Sequence, residues 1–180
     1  MTFRVLVLCT GNSARSQIGE ALLAVRGASR VEGIVTAASA GSRPAPQVNA
    51  YAVKELARHG IAWEGRTPKS IDDIVREPRQ EPRQEHLPDP FQLVITVCDN
   101  AREACPYVPG AFAQVHWGLP DPADETEPAA ARAAFTRTYD ALAARIDALL
   151  ALPLEQLDAA ALKAAAQHIH DTLPQPAHRA

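Results

Sequence analysis

Within the stretch LVLCTGNSARSQ, Cys9 and Arg15 enclose a turn made of Thr10, Gly11, Asn12, Ser13 and Ala14. That pattern can cradle an oxyanion. Turn residues let successive backbone N–H groups point inward as a nest, and a helix starting at the Arg-Ser end adds the positive end of its dipole. Arg15 carries a planar fork of donors able to close over two oxygens. The same positive field favours the thiolate of Cys9, a form that an unassisted cysteine populates to only about 3% at pH 7. Ser16 can donate a hydrogen bond to that sulfur, and Asn12 can hold the loop in shape through backbone contacts. A buried structural thiol beside a surface arginine is the plainer alternative. The place of the turn, directly after a buried apolar run, weighs against it. The loop is not a nucleotide-binding one, because the lysine of G-x-x-x-x-G-K-[ST] is absent.

Two further segments carry chemistry. ITVCDNAREACP sets Cys98 and Cys105 seven positions apart after an apolar run. If the intervening segment starts helical, both thiols lie on one face about 10 Å apart, and modest unwinding brings them within bonding distance. The pair is a candidate redox switch; one core thiol plus one incidental surface thiol is the alternative. QVHWGLPDPADE holds Asp121 before Pro122, which keeps its backbone extended and aims it away from the helix that follows. A carboxylic acid there can protonate a leaving oxygen as Cys9 attacks, and an ordinary helix N-cap is the competing role. No metal is expected: none of the three cysteines has zinc-ligand spacing, and His168 and His170 read as exposed helix residues.

These residues need a scaffold that gathers them. Phe3–Leu8 reads as a buried parallel strand, followed by a helix from Ser16 that Gly27 closes. A second strand is expected over Val31–Ala38, a second helix over Val48–His59 stopped by Gly60, and a short third helix over Ser70–Val75. Phe91–Val97 is the clearest central strand, and a fourth strand ends over Ala113–His116. Alternation of this kind implies crossover connections, so the expected fold is a doubly wound α/β domain with a parallel sheet and helices on both faces. Ligand sites in such folds lie beyond the carboxyl ends of the strands, where Cys9, Cys98 and Asp121 all fall.

With 180 residues the chain suits one domain burying roughly 70% of its unfolded surface, and its net charge of −3 gives no field for nucleic acid or an anionic membrane. The apolar run after Met1 is too short for a signal core or a membrane span, so the protein is expected in the cytoplasm, where three cysteines stay reduced. A monomer is the default. Residues 77–84 are a tandem EPRQ repeat inside a Pro-rich loop over 77–90, read as exposed and extended without chemistry. After Pro153 an Ala/Leu-rich stretch predicts a C-terminal helix, trailed by a disordered PQPAHRA.

Taken together, CTGNSARSQ, ITVCDNAREACP and HWGLPDPA resemble the thioredoxin-coupled arsenate reductases, which share the fold and C-x5-R-S loop of low-molecular-weight protein tyrosine phosphatases. The likeness runs from about Phe3 to about Leu150, with Ser39–Gly41 and VNAYAVKELARHGI also in register. It implies a four-stranded, flavodoxin-like domain over 1–152, carrying the 77–90 insertion, with a separate extension over 153–180. It also implies that Cys9 attacks arsenate, that Asp121 assists loss of an oxygen as water, and that Cys98 then attacks Cys9 to release arsenite. Cys105 next attacks Cys98, and thioredoxin, an external reductant rather than a cofactor, reduces the resulting pair. In a phosphatase the same loop attacks a phosphomonoester and has no need of Cys98 and Cys105. Two departures from the family pattern matter. Ala14 stands where many relatives carry a further cysteine outside the relay. Where some relatives hold a potassium ion, the matching positions are Asn12, Glu20, Ser39 and Lys69; a lysine cannot ligate a cation, so its ammonium is expected to neutralise Glu20, with no potassium dependence.

Overall fold

A computed structural model of the chain describes residues 2–30, 33–75, 91–98, 108 and 110–176. The apolar run at the amino end forms strand β1 (Thr2–Cys9), and helix α1 (Arg15–Gly27) follows after the turn. Strand β2 (Ile34–Gly41), helices α2 (Ala50–Arg58) and α3 (Ile71–Val75), and strand β3 (Leu93–Cys98) come next. Strand β4 (Ala113–Leu119), the long helix α4 (Pro128–Leu150) and helix α5 (Ala159–Thr172) complete the order. The four strands are all parallel and lie in the order β2-β1-β3-β4. Chain order therefore reverses at β1, the point where doubly wound sheets place their ligand sites.

One face of the sheet carries Val5, Val7, Ile95, Val97 and Trp117 against α1, α2, α4 and α5 in the main core. The other face carries Leu6, Leu8, Ala40 and Val94 against Ile71 of α3. Successive strand residues alternate between the two clusters, as a sheet buried on both sides requires. No helix among the described residues is long and apolar enough to cross a membrane.

Several boundaries differ from those expected. β2 runs three residues past Ala38 to Gly41, because its small residues Ala40 and Gly41 pair with Leu8 and Cys9 and pack closely against the turn. Gly27 closes α1 without a left-handed cap: its neighbour Ala28 is right-handed, and a Cβ on Gly27 would stand 2.8 Å from the Cβ of Val35. Its role is close approach of helix to strand. β4 continues past His116 to Leu119, and between its two pairings Thr96↔His116 and Cys98↔Leu119 it gains one residue on β3. That irregularity is a bulge, a device that bends a strand end. Helix α4, unassigned in the sequence reading, is the longest among the described residues; Glu127 caps it by accepting from the Ala130 N–H, with Pro128 in its first turn. The expected C-terminal helix forms as α5, capped by Asp158, and docks on β4, where Trp117 Nε1 donates to the Ala166 carbonyl at 2.9 Å. The Pro-rich loop, Cys105 and the last four residues lie outside the described residues.

Candidate active site

Every carbonyl of the turn between β1 and α1 is engaged as an acceptor, most of them by the segment that follows β2. Those of Cys9, Thr10, Gly11 and Ser13 accept the backbone N–H groups of Ser42, Arg43, Ala45 and Asn49, at 2.8 to 3.3 Å. The Asn12 carbonyl accepts Gln17 Nε2 at 3.1 Å, and that of Ala14 accepts the Ile18 N–H at 3.0 Å. A trans peptide points its N–H opposite its C=O, so carbonyls drawn outward turn the amides inward. An amide nest requires such an arrangement, and the first turn of α1 stands at the rim of the turn. The segment after β2 can run this close only because residue 41 is glycine. A Cβ there would stand 2.5 Å from the Thr10 carbonyl oxygen and 2.9 Å from the Asn12 nitrogen.

Cys9 is buried at the end of β1, and two donors converge on its sulfur. The Asn12 N–H reaches Sγ at 3.1 Å, and Ser16 Oγ lies 2.9 Å away. An N–H and a hydroxyl thus both stand within hydrogen-bonding distance of the sulfur. Asn12 does more than shape the loop through its backbone. Fully buried at φ 46°, a left-handed conformation that asparagine tolerates, it places its side chain at the centre of a network. Its Nδ2 donates to Ser16 Oγ at 2.9 Å and to Ser39 Oγ at 2.8 Å, while its Oδ1 accepts the Lys69 N–H at 2.7 Å. Ser39 in turn donates to the buried carboxylate of Glu20, and Lys69 Nζ lies 3.3 Å from both Glu20 oxygens. The ammonium thus sits where the sequence reading expects it, as the fixed counter-charge of Glu20.

Arg15 differs from its expected arrangement. Its Nη1 donates to the Leu119 carbonyl at 2.7 Å and its Nη2 pairs with Asp121 Oδ2, while its buried Nε has no partner. The cause is burial: a guanidinium taken from water must find acceptors, and the β4 end supplies a carbonyl and a carboxylate. Asp121 is extended at φ −76° and ψ 113°, as a residue before proline should be. It is not aimed away from the following turn, however. One carboxylate oxygen, Oδ1, caps that turn at Ala123 N–H (3.0 Å), while Oδ2 faces Arg15, so the capping role and the site role coexist.

Cys98 ends β3, directly beside β1. Because Leu8 pairs with Thr96, the Cys98 backbone stands one step beyond the level of Cys9 on the neighbouring strand. Strand spacing and rise then put the two Cα atoms about 6 Å apart. Cys98 also pairs with Leu119, the residue whose carbonyl anchors Arg15, so the bulge ties both cysteine-bearing strand ends to the cradle. The structure therefore brings Cys9, Arg15, Ser16, Asp121 and the backbone of Cys98 to one edge of the sheet. Sequence reasoning missed Gln17 and the Leu119 carbonyl, which carry no local motif. Among the described residues, no group of three or more His, Cys, Asp or Glu side chains is placed to hold a metal ion.

The chain belongs to the low molecular weight phosphotyrosine protein phosphatase family, whose model matches residues 4–166. Its relatives include an arsenate reductase of Brevibacillus brevis, 34% identical over 143 residues that span 79% of this chain and 90% of the relative. Among solved structures, an arsenate reductase from Archaeoglobus fulgidus superposes with a TM-score of 0.60 at 26% identity, covering 82% of this chain and 99% of that one. A thioredoxin-dependent arsenate reductase of Corynebacterium glutamicum gives a TM-score of 0.55 at 26% identity, over 81% of this chain and 59% of that one. The resemblance read from the three motifs is thus borne out, as is the fold it implied.

Proposed function

We propose that this protein reduces arsenate to arsenite through Cys9, Cys98 and Cys105, with thioredoxin as the external reductant and arsenic detoxification as its cellular purpose. Cys9 thiolate displaces one arsenate oxygen, which leaves as water with help from the Asp121 carboxyl, and a sulfur–arsenic bond forms. Cys98 thiolate then attacks Cys9 Sγ. The new disulfide forms as the sulfur–arsenic electron pair passes to arsenic, which departs as arsenite. Cys105 attacks Cys98, frees Cys9, and leaves a Cys98–Cys105 disulfide for thioredoxin to reduce. The chemistry asks for no cofactor and no metal, and we place the enzyme in the cytoplasm as a monomer.

The observation that supports this reading is the register of β1 and β3, which brings the strand ends carrying Cys9 and Cys98 side by side at one edge of the sheet. Arsenate-dependent NADPH oxidation with thioredoxin and thioredoxin reductase tests it. Cys9→Ser, Cys98→Ser and Cys105→Ser should each abolish turnover, and activity surviving all three would refute the relay.

A second reading, phosphomonoester hydrolysis at Cys9, draws support from the family itself and from the pairing of Arg15 with Asp121. In that reaction water attacks a phosphocysteine and Asp121 acts as acid and then base. It predicts p-nitrophenyl phosphate turnover that persists in Cys98→Ser.

A further inference from the structure

Trp63 lies in the loop after α2 and is buried, yet it belongs to neither the cradle nor the residues expected from the motifs. Its Nε1 donates to Gln17 Oε1 at 2.8 Å, and Gln17 is itself almost wholly buried. An indole N–H is a donor only, so it fixes which end of the Gln17 amide faces it. The Gln17 NH2 group is thereby turned to Asn12, where it donates to both the carbonyl oxygen and Oδ1, each at 3.1 Å.

The same logic passes along the network. Asn12 Oδ1 accepts from Gln17 and from the Lys69 amide, a second pure donor, so Asn12 Nδ2 must supply its two hydrogens to Ser16 and Ser39. Each serine owns one hydroxyl hydrogen. That of Ser39 goes to Glu20, and that of Ser16 is left for Cys9 Sγ. Donor-only groups stand at the inlets, and the two outlets are a carboxylate and a sulfur.

We propose that Trp63 and Gln17 are positioning residues that set the direction of this hydrogen-bond chain, and through Asn12 and Ser16 hold a hydroxyl donor on Cys9 Sγ. Neither touches the reacting atoms. The chain also pins Asn12 in its left-handed turn, so it supports the amide nest as well as the sulfur. Gln17→Glu would place a carboxylate oxygen against two acceptor oxygens of Asn12, opposing the chain's direction at its second link.

The inference rests on Cys9 being the nucleophile, and the test separates the two. Intact protein is treated with iodoacetamide at pH 7 with and without inorganic phosphate, and alkylation is read on the tryptic peptide spanning 5–15, whose only cysteine is Cys9. In Trp63→Phe the alkylation rate should fall roughly 3-fold and in Gln17→Glu roughly 10-fold or more, as the loss or reversal of one buried hydrogen bond implies. Phosphate protection should weaken in parallel. Trp117→Phe, which loses an indole bond to Ala166 of α5 that is not part of this hydrogen-bond chain, serves as the control for general destabilisation and should keep both readouts. Wild-type rates and protection in both Trp63→Phe and Gln17→Glu would overturn the inference. If Cys9 in the wild type shows no phosphate-protected alkylation, the reading of Cys9 as nucleophile falls, and the inference with it.

Discussion

Replacing Asp121 by asparagine should pull apart oxyanion capture and turnover, because the two make opposite demands on this carboxylate. Its Oδ1 caps the turn after β4, a role asparagine keeps, while its Oδ2 pairs with the arginine that must also receive the oxyanion. An incoming dianion therefore competes with Asp121 for Arg15. Two unit charges about 5 Å apart at an effective dielectric of about 20 interact by about 3 kcal/mol. Asp121 is 35% exposed against 7% for Arg15, so solvent screens part of this, leaving about 1 to 1.5 kcal/mol. Phosphate should then bind Asp121→Asn about 10-fold more tightly, since 1.4 kcal/mol is a factor of ten. Turnover should meanwhile fall about 100- to 10,000-fold, the usual cost of losing a positioned proton donor. Titration calorimetry with phosphate, paired with steady-state rates on arsenate, reads both effects. Unchanged or weaker phosphate binding would refute the idea that Asp121 and the oxyanion share Arg15.

Four other outcomes follow from the structure. With Lys69 seated on Glu20, arsenate turnover should show no stimulation by potassium at constant ionic strength. Lys69→Met, by stranding a buried carboxylate, should lower the urea-unfolding free energy by about 3 kcal/mol. Gly41→Ala should cost about 3 kcal/mol of stability and weaken phosphate binding, because its Cβ meets the backbone of Thr10 and Asn12; thermal melts and calorimetry check this. Burial holds the His170 imidazole below its ordinary range, Arg145 and His116 push the same way, and Asp171 opposes them. The unfolded chain protonates this residue near pH 6.5, so below that pH, down to the lower folded value, the unfolded state binds more protons and stability is lost on acidification. Melts between pH 7 and pH 5 should therefore show a smaller loss in His170→Gln than in the wild type.

The parts of the site legible in the sequence are those whose chemistry is local. The Cys9-to-Arg15 turn announces itself because strand, glycine, asparagine and helix start are contiguous, and Ser16 reaches the sulfur by its place one residue on. β1 and β3 are legible as apolar runs. The end of β2 is less legible because it is built of alanine, serine and glycine, which suit the close approach of the neighbouring segment rather than supply hydrophobic bulk. α4 went unread because alanine fills so much of its surface that no strong apolar stripe appears, although Phe135, Tyr139, Leu142 and Ile146 do face the core. The second tier of the site was illegible for a different reason. Trp63 and Gln17 lie 46 residues apart, and nothing in either neighbourhood signals that their side chains meet. Glu20, Ser39 and Lys69 were reached only through the family resemblance, and Leu119 acts through a carbonyl, which no side-chain pattern encodes.

The central claim, that two thiol electrons rather than water complete the reaction begun at Cys9, is tested most directly by a single turnover without any external reductant. Fully reduced protein mixed with excess arsenate should release one arsenite per chain and yield a Cys98–Cys105 disulfide by peptide mapping, with neither product from Cys9→Ser. No arsenite, or arsenite that forms while Cys98 and Cys105 remain as free thiols, would contradict it.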